Sequence, residues 1–183
     1  HGDNMGTRGL WGKSNMYEES ARVPLILSGP RFTAGTVCET PVGLIDAYQT
    51  VLDVVGIEPN EVESTLPGRS LVEIAAAPYD ETRTVFAEYH ASCAPTGLLM
   101  LRQGKFKYIH YTGHGSELFD LEADPGEIND LADDSAYVDV LAGFDHALRK
   151  ILDPEKADRE AKTLQRKRLK KLGGMSSIVA NGG

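Results

Sequence analysis

An almost unbroken apolar run, VPLILSG, is the feature of this chain that most limits its possible folds. The run is short and is closed by Gly29 and Pro30, so it favours a strand buried on both faces over a surface strand with alternating residues. Such a strand is typical of an α/β sheet. Thr40 and Pro41 then predict a helix start, and apolar residues recur at helical spacing up to Gly56. We expect this helix to pack against the sheet.

The second half of the chain predicts an antiparallel architecture. Three segments rich in β-branched and aromatic residues precede a fourth, SELFDL, and together they predict a small sheet. Within it, LMLRQGKFKYI predicts a hairpin whose turn is at Gln103 and Gly104. A single apolar stripe over residues 137–152 predicts a helix that covers one face of this sheet. A basic helix that ends at Gly173 and Gly174 follows.

These patterns divide the chain into four parts. We expect residues 1–60 to belong to an α/β domain and residues 61–82 to form a linker with a short helix. Residues 83–152 are expected to form the antiparallel-sheet subdomain with its helix, and residues 153–183 the basic helix and tail. The fold class predicted from the sequence is therefore α/β with an additional antiparallel subdomain.

The composition argues against several classes of function. A formal net charge of −8 disfavours a sequence-independent grip on nucleic acid, which requires clustered positive charge. No apolar run approaches the roughly 18 residues that indicate a membrane span. Cys38 and Cys93 do not make a disulfide framework, so we expect free thiols. The chain starts without a signal region, which favours a cytoplasmic location without fixing it.

The stretch HGDNMGTRGLWGKS combines glycines with His1, Asp3 and Lys13. Oxygen and imidazole ligands bind divalent cations, and an anion bound to such a cation needs an ammonium nearby. Glycines allow a ligand to approach the backbone closely. The stretch is therefore compatible with part of a site for a metal and an anion, although on spacing alone an exposed loop without function is an equal interpretation. We expect Trp11 to pack beneath this loop.

Four segments in chain order resemble the sulfatases of the alkaline phosphatase superfamily. HGDNMGTRGLWGKSNMYEESARVPLILSGP resembles the segment that begins with an Asp-His-Gly or Asp-Asn-Gly metal motif and continues through G-x-W-x-K. GLIDAYQTVLDVVGI resembles the helix that follows in the family. LRQGKFKYIHY and ELFDLEADPGEINDLAD resemble the C-terminal hairpin of the family. The resemblance covers residues 1–152.

This resemblance implies the C-terminal end of an alkaline-phosphatase-like α/β catalytic domain, followed by a small antiparallel-sheet subdomain with a covering helix. Sulfatases hydrolyse sulfate esters with a formylglycine nucleophile, and a divalent cation holds that nucleophile and the sulfate oxygens. His1 matches the second residue of the metal pair of the family. Lys13 matches the lysine that binds the sulfate oxygens. Calcium is the expected cation, and manganese is the alternative because the histidine resembles choline sulfatases and phosphonate monoester hydrolases.

The nucleophile itself is expected outside this chain. The segment from Cys93 to Gly97 has the Cys-x-Pro of the modification motif but has Gly97 where that motif has arginine. We therefore expect the formylglycine in an N-terminal part of the enzyme that this chain lacks, and no hydrolysis by this chain alone. Glu88 and His90, at the end of a predicted strand, are expected at the substrate pocket. An exposed strand end is an equal interpretation of these two residues.

The function expected from the sequence is the hydrolysis of a small sulfate ester by the complete protein. A phosphonate monoester or phosphodiester hydrolase is the first alternative, because the same superfamily uses nearly the same pocket for both reactions. A noncatalytic remnant or assembly module is the second. The basic cluster from Arg166 to Lys171 is typical of a solvated helix face, and its pairing with an acidic neighbour would give the homo-oligomer that we expect.

Overall fold

A computed structural model describes residues 2–91 and 94–174. Its larger sheet is an antiparallel meander of four strands in the order β3-β4-β5-β6, and a two-stranded ribbon pairs β1 with β2. The strands are β1 Asn4–Met5, β2 Trp11–Gly12, β3 Thr84–Tyr89, β4 Leu98–Gln103, β5 Phe106–Tyr111 and β6 Gly115–Asp120. The helices are α1 Glu18–Ala21, α2 Asp46–Val55, α3 Leu71–Ala76, α4 Val138–Ile151 and α5 Pro154–Lys171.

The predicted hairpin is confirmed, with its turn one residue further along the chain. Gln103 pairs with Phe106, so the two residues of the turn are Gly104 and Lys105. Gly104 has a φ of 52°. The turn lies there because two-residue hairpin turns whose twist matches the strands need positive φ, which glycine adopts without a steric penalty.

The larger sheet is covered on both faces, because successive residues of a strand point to opposite sides. On one face, α4 packs over the sheet as predicted, and the ring of Phe144 stacks on that of Tyr108 with 5.8 Å between centroids. On the other face, Met16 packs among apolar side chains of β4, β5 and β6. Met16 belongs to the N-terminal segment, which we define as residues 2–21. The sheet therefore lies between α4 and the N-terminal segment.

The prediction that VPLILSG forms a buried strand is wrong for the described residues. Residues 22–28 have no ladder partner among residues 2–91 and 94–174. Leu25 is 50% exposed and Ile26 is 89% exposed. An apolar run becomes a buried strand only where a neighbouring strand takes up its N–H and C=O groups, and no described strand lies beside it.

The helix predicted from Pro41 begins later, at Asp46. Thr40 does not cap it, because the Thr40 hydroxyl accepts the N–H of Asp80 at 3.0 Å. The fully buried Asp46 instead binds the loop before the helix, where its carboxylate accepts a hydrogen bond from the N–H of Gly43 at 2.8 Å. The same carboxylate forms an ion pair with the guanidinium of Arg83 at 2.6 Å. Arg83 immediately precedes β3, so this pair attaches α2 to the edge of the sheet. The helix ends at Gly56, as predicted.

The basic C-terminal helix is confirmed as α5, which starts at Pro154 after the cap residue Asp153. The Asp153 carboxylate accepts the N–H of Lys156 at 2.8 Å. Proline suits the first turn, where its missing N–H has no partner to lose. Within the described ranges, none of the helices has the length and apolar character needed to cross a membrane. Cys38 is a free thiol, as predicted, and Cys93 lies outside the described residues.

One ion pair joins α4 to α5 and predicts a pH dependence. Arg149 donates to both carboxylate oxygens of Glu155, at 3.0 and 3.2 Å, and lowers the pKa of Glu155 to about 2. Since this pKa lies below the ordinary value of 4.5, the contribution of the pair to stability is complete above pH 4.5 and is lost as the pH falls towards 2. We expect the destabilisation caused by Glu155→Gln to disappear over that range in urea unfolding. The exposed Glu160, replaced by Gln, is the control on the same helix, and a Glu155→Gln deficit that stays constant with pH would contradict this prediction.

Candidate functional site

The β1–β2 ribbon positions Lys13. Asn4 pairs with Gly12 and Met5 with Trp11, so the chain leaves the ribbon directly at Lys13. Gly12 has a φ of 81°, a conformation that favours glycine, and it turns the backbone at this exit. Lys13 is exposed to solvent. The structure thus presents an ammonium group at the end of a short ribbon.

Asn4 ties the two ends of this loop together. Asn4 is fully buried, and its Nδ2 donates to the carbonyl oxygen of Gly12 and to Oγ of Ser20, both at 2.8 Å. Its Oδ1 has no hydrogen-bond partner within the described part of the chain. The two bonds donated by Nδ2 join Gly12, and with it the start of the Lys13 loop, to Ser20 of α1.

Trp11 does not pack beneath the loop as predicted. Trp11 is 78% exposed, and its partner across the ribbon, Met5, is 79% exposed. Directly paired residues share a face of an antiparallel ribbon, and here that face points to solvent. Beside Lys13 the protein therefore exposes an apolar pair.

A tyrosine that the sequence did not single out reaches the Lys13 loop. Ser14 Oγ lies 3.0 Å from the hydroxyl of Tyr89, at the end of β3. Tyr89 pairs with Leu98, which packs with Met16 on the face of the N-terminal segment. Strand alternation could have indicated that Tyr89 and Glu88 point to opposite faces. It could not have indicated which face meets the Lys13 loop.

The structure brings Glu88 and His90 to each other. Glu88 pairs across the sheet with Leu99, which lies on the face covered by α4. Its carboxylate is half exposed and lies 3.2 Å from Nε2 of His90. The carbonyl oxygen of His90 accepts a hydrogen bond from Gln165 of α5. These two residues therefore form a pair between β3 and α5, and Glu88 lies on the sheet face opposite Tyr89.

Gly97 packs closely against the imidazole of His90. A Cβ atom added to Gly97 would lie 2.7 Å from Cε1 of His90, so only glycine fits beside this imidazole. The N–H of Gly97 donates to the Asp158 carboxylate of α5 at 2.8 Å. The position of His90 consequently depends on α5 as well as on β3.

Two tyrosines share one carboxylate beneath the N-terminal segment. Glu117 of β6 accepts hydrogen bonds from the hydroxyls of Tyr17, at 3.0 Å, and Tyr111, at 2.8 Å. Burial and the neighbouring Glu117 charge raise the pKa of Tyr17 to about 12 and raise the pKa of Tyr111 as well. Both hydroxyls therefore remain neutral donors near neutral pH and hold the segment on the sheet.

The described residues do not form a complete metal site. They contain no group of three or more His, Cys, Asp or Glu side chains arranged to hold an ion. Asp3 is exposed, and its carboxylate lies 3.9 Å from where a Cβ of Gly12 would be, so one carboxylate lies beside the ribbon at Gly12. His1 lies outside the described residues. What this region offers by itself is an exposed ammonium that can stabilise an anionic group.

Comparison with known proteins places this geometry in context. Residues 6–153 match the family model described as N-sulphoglucosamine sulphohydrolase, C-terminal. Choline-sulfatase of Rhizobium meliloti (strain 1021) is 41% identical over 133 residues, which are 73% of this chain and 26% of that protein.

Two solved structures are similar in fold and sequence. The structure of BT4656 in complex with its substrate D-glucosamine-2-N,6-O-disulfate has a TM-score of 0.67 and 27% identity, covering 88% of this chain and 33% of that one. Phosphonate monoester hydrolase SpPMH from Silicibacter pomeroyi has a TM-score of 0.66 and 30% identity, covering 82% of this chain and 32% of that one. The chain thus spans about a quarter to a third of the proteins that it matches.

Proposed function

Because this chain belongs to the family of N-sulphoglucosamine sulphohydrolase C-terminal regions, and so to the sulfatases, we propose that it forms the C-terminal part of an enzyme that hydrolyses sulfate esters. The match to residues 6–153 carries the proposal, since it includes β2 and Lys13 together with the whole four-stranded sheet. Its fold is the C-terminal end of an alkaline-phosphatase-like catalytic domain with an antiparallel subdomain.

Lys13 is the residue of this chain that we assign to the reaction. Its ammonium donates hydrogen bonds to the sulfate oxygens and offsets the negative charge that develops as the S–O bond to the leaving group breaks. The exposed position of Lys13 and the hydrogen bonds by which Asn4 joins the ribbon to α1 support this role. A donor held in place before the reaction needs little reorganisation when that charge appears.

Family membership implies a divalent cation and a formylglycine in general terms. Calcium as the cation, with manganese as the alternative, and His1 as one of its ligands are part of the proposal. The residues described here do not complete a metal site, so no step of the reaction is assigned through the cation. The formylglycine is proposed to lie outside this chain.

Glu88, on the sheet face opposite Tyr89 and the Lys13 loop, and its partner His90 are proposed to border the substrate pocket at this strand end. Their contact at 3.2 Å gives a carboxylate and an imidazole at the same strand end. Such a pair suits a cationic or hydroxylated leaving group of a small sulfate ester. The basic end of α5 is proposed to contact an acidic surface of another subunit.

Phosphonate monoester hydrolysis is the second candidate function. The similarity to SpPMH, at 30% identity over 82% of this chain, favours it specifically. The two reactions differ in the central atom of the ester, and an exposed ammonium serves both.

Parallel rates on two substrates test these functions. We expect the complete protein to hydrolyse 4-nitrophenyl sulfate with a higher kcat/KM than 4-nitrophenyl phenylphosphonate. A higher value for the phosphonate would establish the second candidate instead. No turnover of either ester by metal-loaded protein with an intact formylglycine motif would support the noncatalytic alternative.

A further inference from the structure

Lys107, the second residue of β5, is a fully buried lysine. Its ammonium lies 2.7 Å from the carboxylate of Glu127, whose side chain is also fully buried, and 2.9 Å from that of Glu18. Removing charges from water is costly, and apolar residues often stabilise an interior equally well. A buried charge cluster is therefore better explained by the geometry that it enforces than by the stability that it supplies.

This cluster holds the chain after Lys13. Glu18 begins α1, five residues beyond Lys13, and its carboxylate accepts a hydrogen bond from the Lys107 ammonium. The Glu18 N–H donates to the second carboxylate oxygen of Glu127 at 2.7 Å. Both the backbone and the side chain of Glu18 are thus fixed to residues of the sheet and of the loop that follows it. Burial raises the pKa of Glu127, and the Lys107 ammonium opposes that rise.

The same cluster holds the chain before Lys13. The Arg8 guanidinium lies 3.7 Å from the Glu127 carboxylate and donates to the carbonyl oxygens of Gly126 and Glu127. It also lies over the ring of Tyr17, 4.2 Å from the centroid. Lys13 therefore lies between two attachment points that converge on Glu127.

The backbone at these attachment points is strained. Arg8 has a φ of 54° and Glu127 a φ of 50°, and in the described ranges they are the two non-glycine residues with positive φ. Residues other than glycine rarely adopt this backbone conformation because of its steric cost, and it persists where the surroundings impose it. Both strained residues belong to the one cluster.

We propose that Lys107 and Glu127 are positioning residues that set the location of Lys13 by holding both flanks of its loop, at Arg8 and Glu18. This inference rests on the proposed function, since it assigns to Lys13 the binding of the reacting anion. A displacement of about 1 Å in a group that stabilises a transition state can cost about 100-fold in rate, so loosening the loop acts on turnover.

A double-mutant comparison in the complete protein tests the proposal. Lys107→Met is expected to lower kcat/KM for 4-nitrophenyl sulfate about tenfold or more, chiefly through kcat. In a Lys13→Ala background the same substitution is expected to lower kcat/KM less than about threefold, because the residue through which it acts is absent. Lys105→Met is the matched control: Lys105 lies in the same hairpin and pairs with Asp120, outside the N-terminal segment, and its replacement is expected to change kcat/KM less than about twofold.

Equal losses from Lys107→Met in both backgrounds would overturn the proposal and leave Lys107 a purely structural residue. If Lys107→Met does not fold, Glu18→Gln takes its place, since it weakens the contact between Lys107 and Glu18 and leaves the Lys107–Glu127 pair intact. Glu18→Gln is expected to lower kcat/KM at least about threefold in the wild-type background and to leave it unchanged in the Lys13→Ala background.

Hydrogen exchange separates this inference from the proposed function. In Lys107→Met the amides of residues 8–21 are expected to exchange at least about tenfold faster, with those of β4 unchanged. Uniform acceleration of both regions would overturn the proposal. If the wild-type protein turns over no sulfate or phosphonate ester, the proposed function fails, whereas selective exchange at residues 8–21 would still establish the attachment of the loop.

Discussion

Lys13→Ala in the complete protein is expected to lower kcat/KM for 4-nitrophenyl sulfate by about 10²–10³-fold, the usual effect of removing one preorganised donor from an oxyanion site. The substitution removes the ammonium that we assign to the sulfate oxygens. Because Lys13 is exposed, the free energy of unfolding should change by no more than about 0.5 kcal/mol. Steady-state kinetics and urea unfolding of the same preparation measure the two effects separately.

Two further variants sharpen this result. Lys13→Arg keeps the charge but places a planar guanidinium where a compact ammonium fits, so we expect kcat/KM between those of the wild type and of Lys13→Ala. Lys150→Ala, at an exposed position of α4, removes a lysine outside the ribbon and outside the basic end of α5, and it should leave kcat/KM unchanged. An unaltered kcat/KM in Lys13→Ala would remove Lys13 from the reaction.

Leu148→Ala is expected to cost about 2–5 kcal/mol of unfolding free energy, because it opens a cavity between α4 and the sheet. Leu148 is fully buried and packs with Leu99, Leu101 and Leu118 of the sheet. The matched control is Leu164→Ala on α5, where the leucine is 65% exposed and its loss should cost less than about 0.5 kcal/mol. Urea unfolding monitored by near-ultraviolet circular dichroism measures both.

The size of the Leu148 effect also tests the arrangement of layers. If Leu148→Ala and Leu164→Ala lowered the unfolding free energy equally, α4 would not cover the sheet as described. A large loss confined to Leu148→Ala would agree with a core that α4 shares with β4, β5 and β6.

The antiparallel subdomain could be predicted because its signals are local. The stripe that forms α4 is a 3.6-residue period within one segment, and the β4–β5 hairpin depends on one glycine turn. The division of the chain at residues 60, 82 and 152 stays a prediction, as do the roles of His1, Lys13, Glu88 and His90.

The attachment of the Lys13 loop could not be predicted in this way. Lys107 and Glu18 are 89 residues apart in the chain, and Glu18 and Glu127 are 109 apart. No periodicity links such positions, and a lysine in a strand is ordinarily expected at the surface. Tyr89 was missed for a related reason, since Ser14, its partner, is 75 residues away.

By itself the sequence determined the helical stripe, the hairpin, the family resemblance and the lysine at the end of a glycine-rich stretch, because each is written in neighbouring residues. Only the tertiary structure decided that residues 22–28 lack a strand partner among the described residues, that Tyr89 rather than Glu88 meets Ser14, and that Lys107 is buried against Glu127 and Glu18. These outcomes depend on which distant segments share a face, and that is fixed by packing around the sheet rather than by local preference.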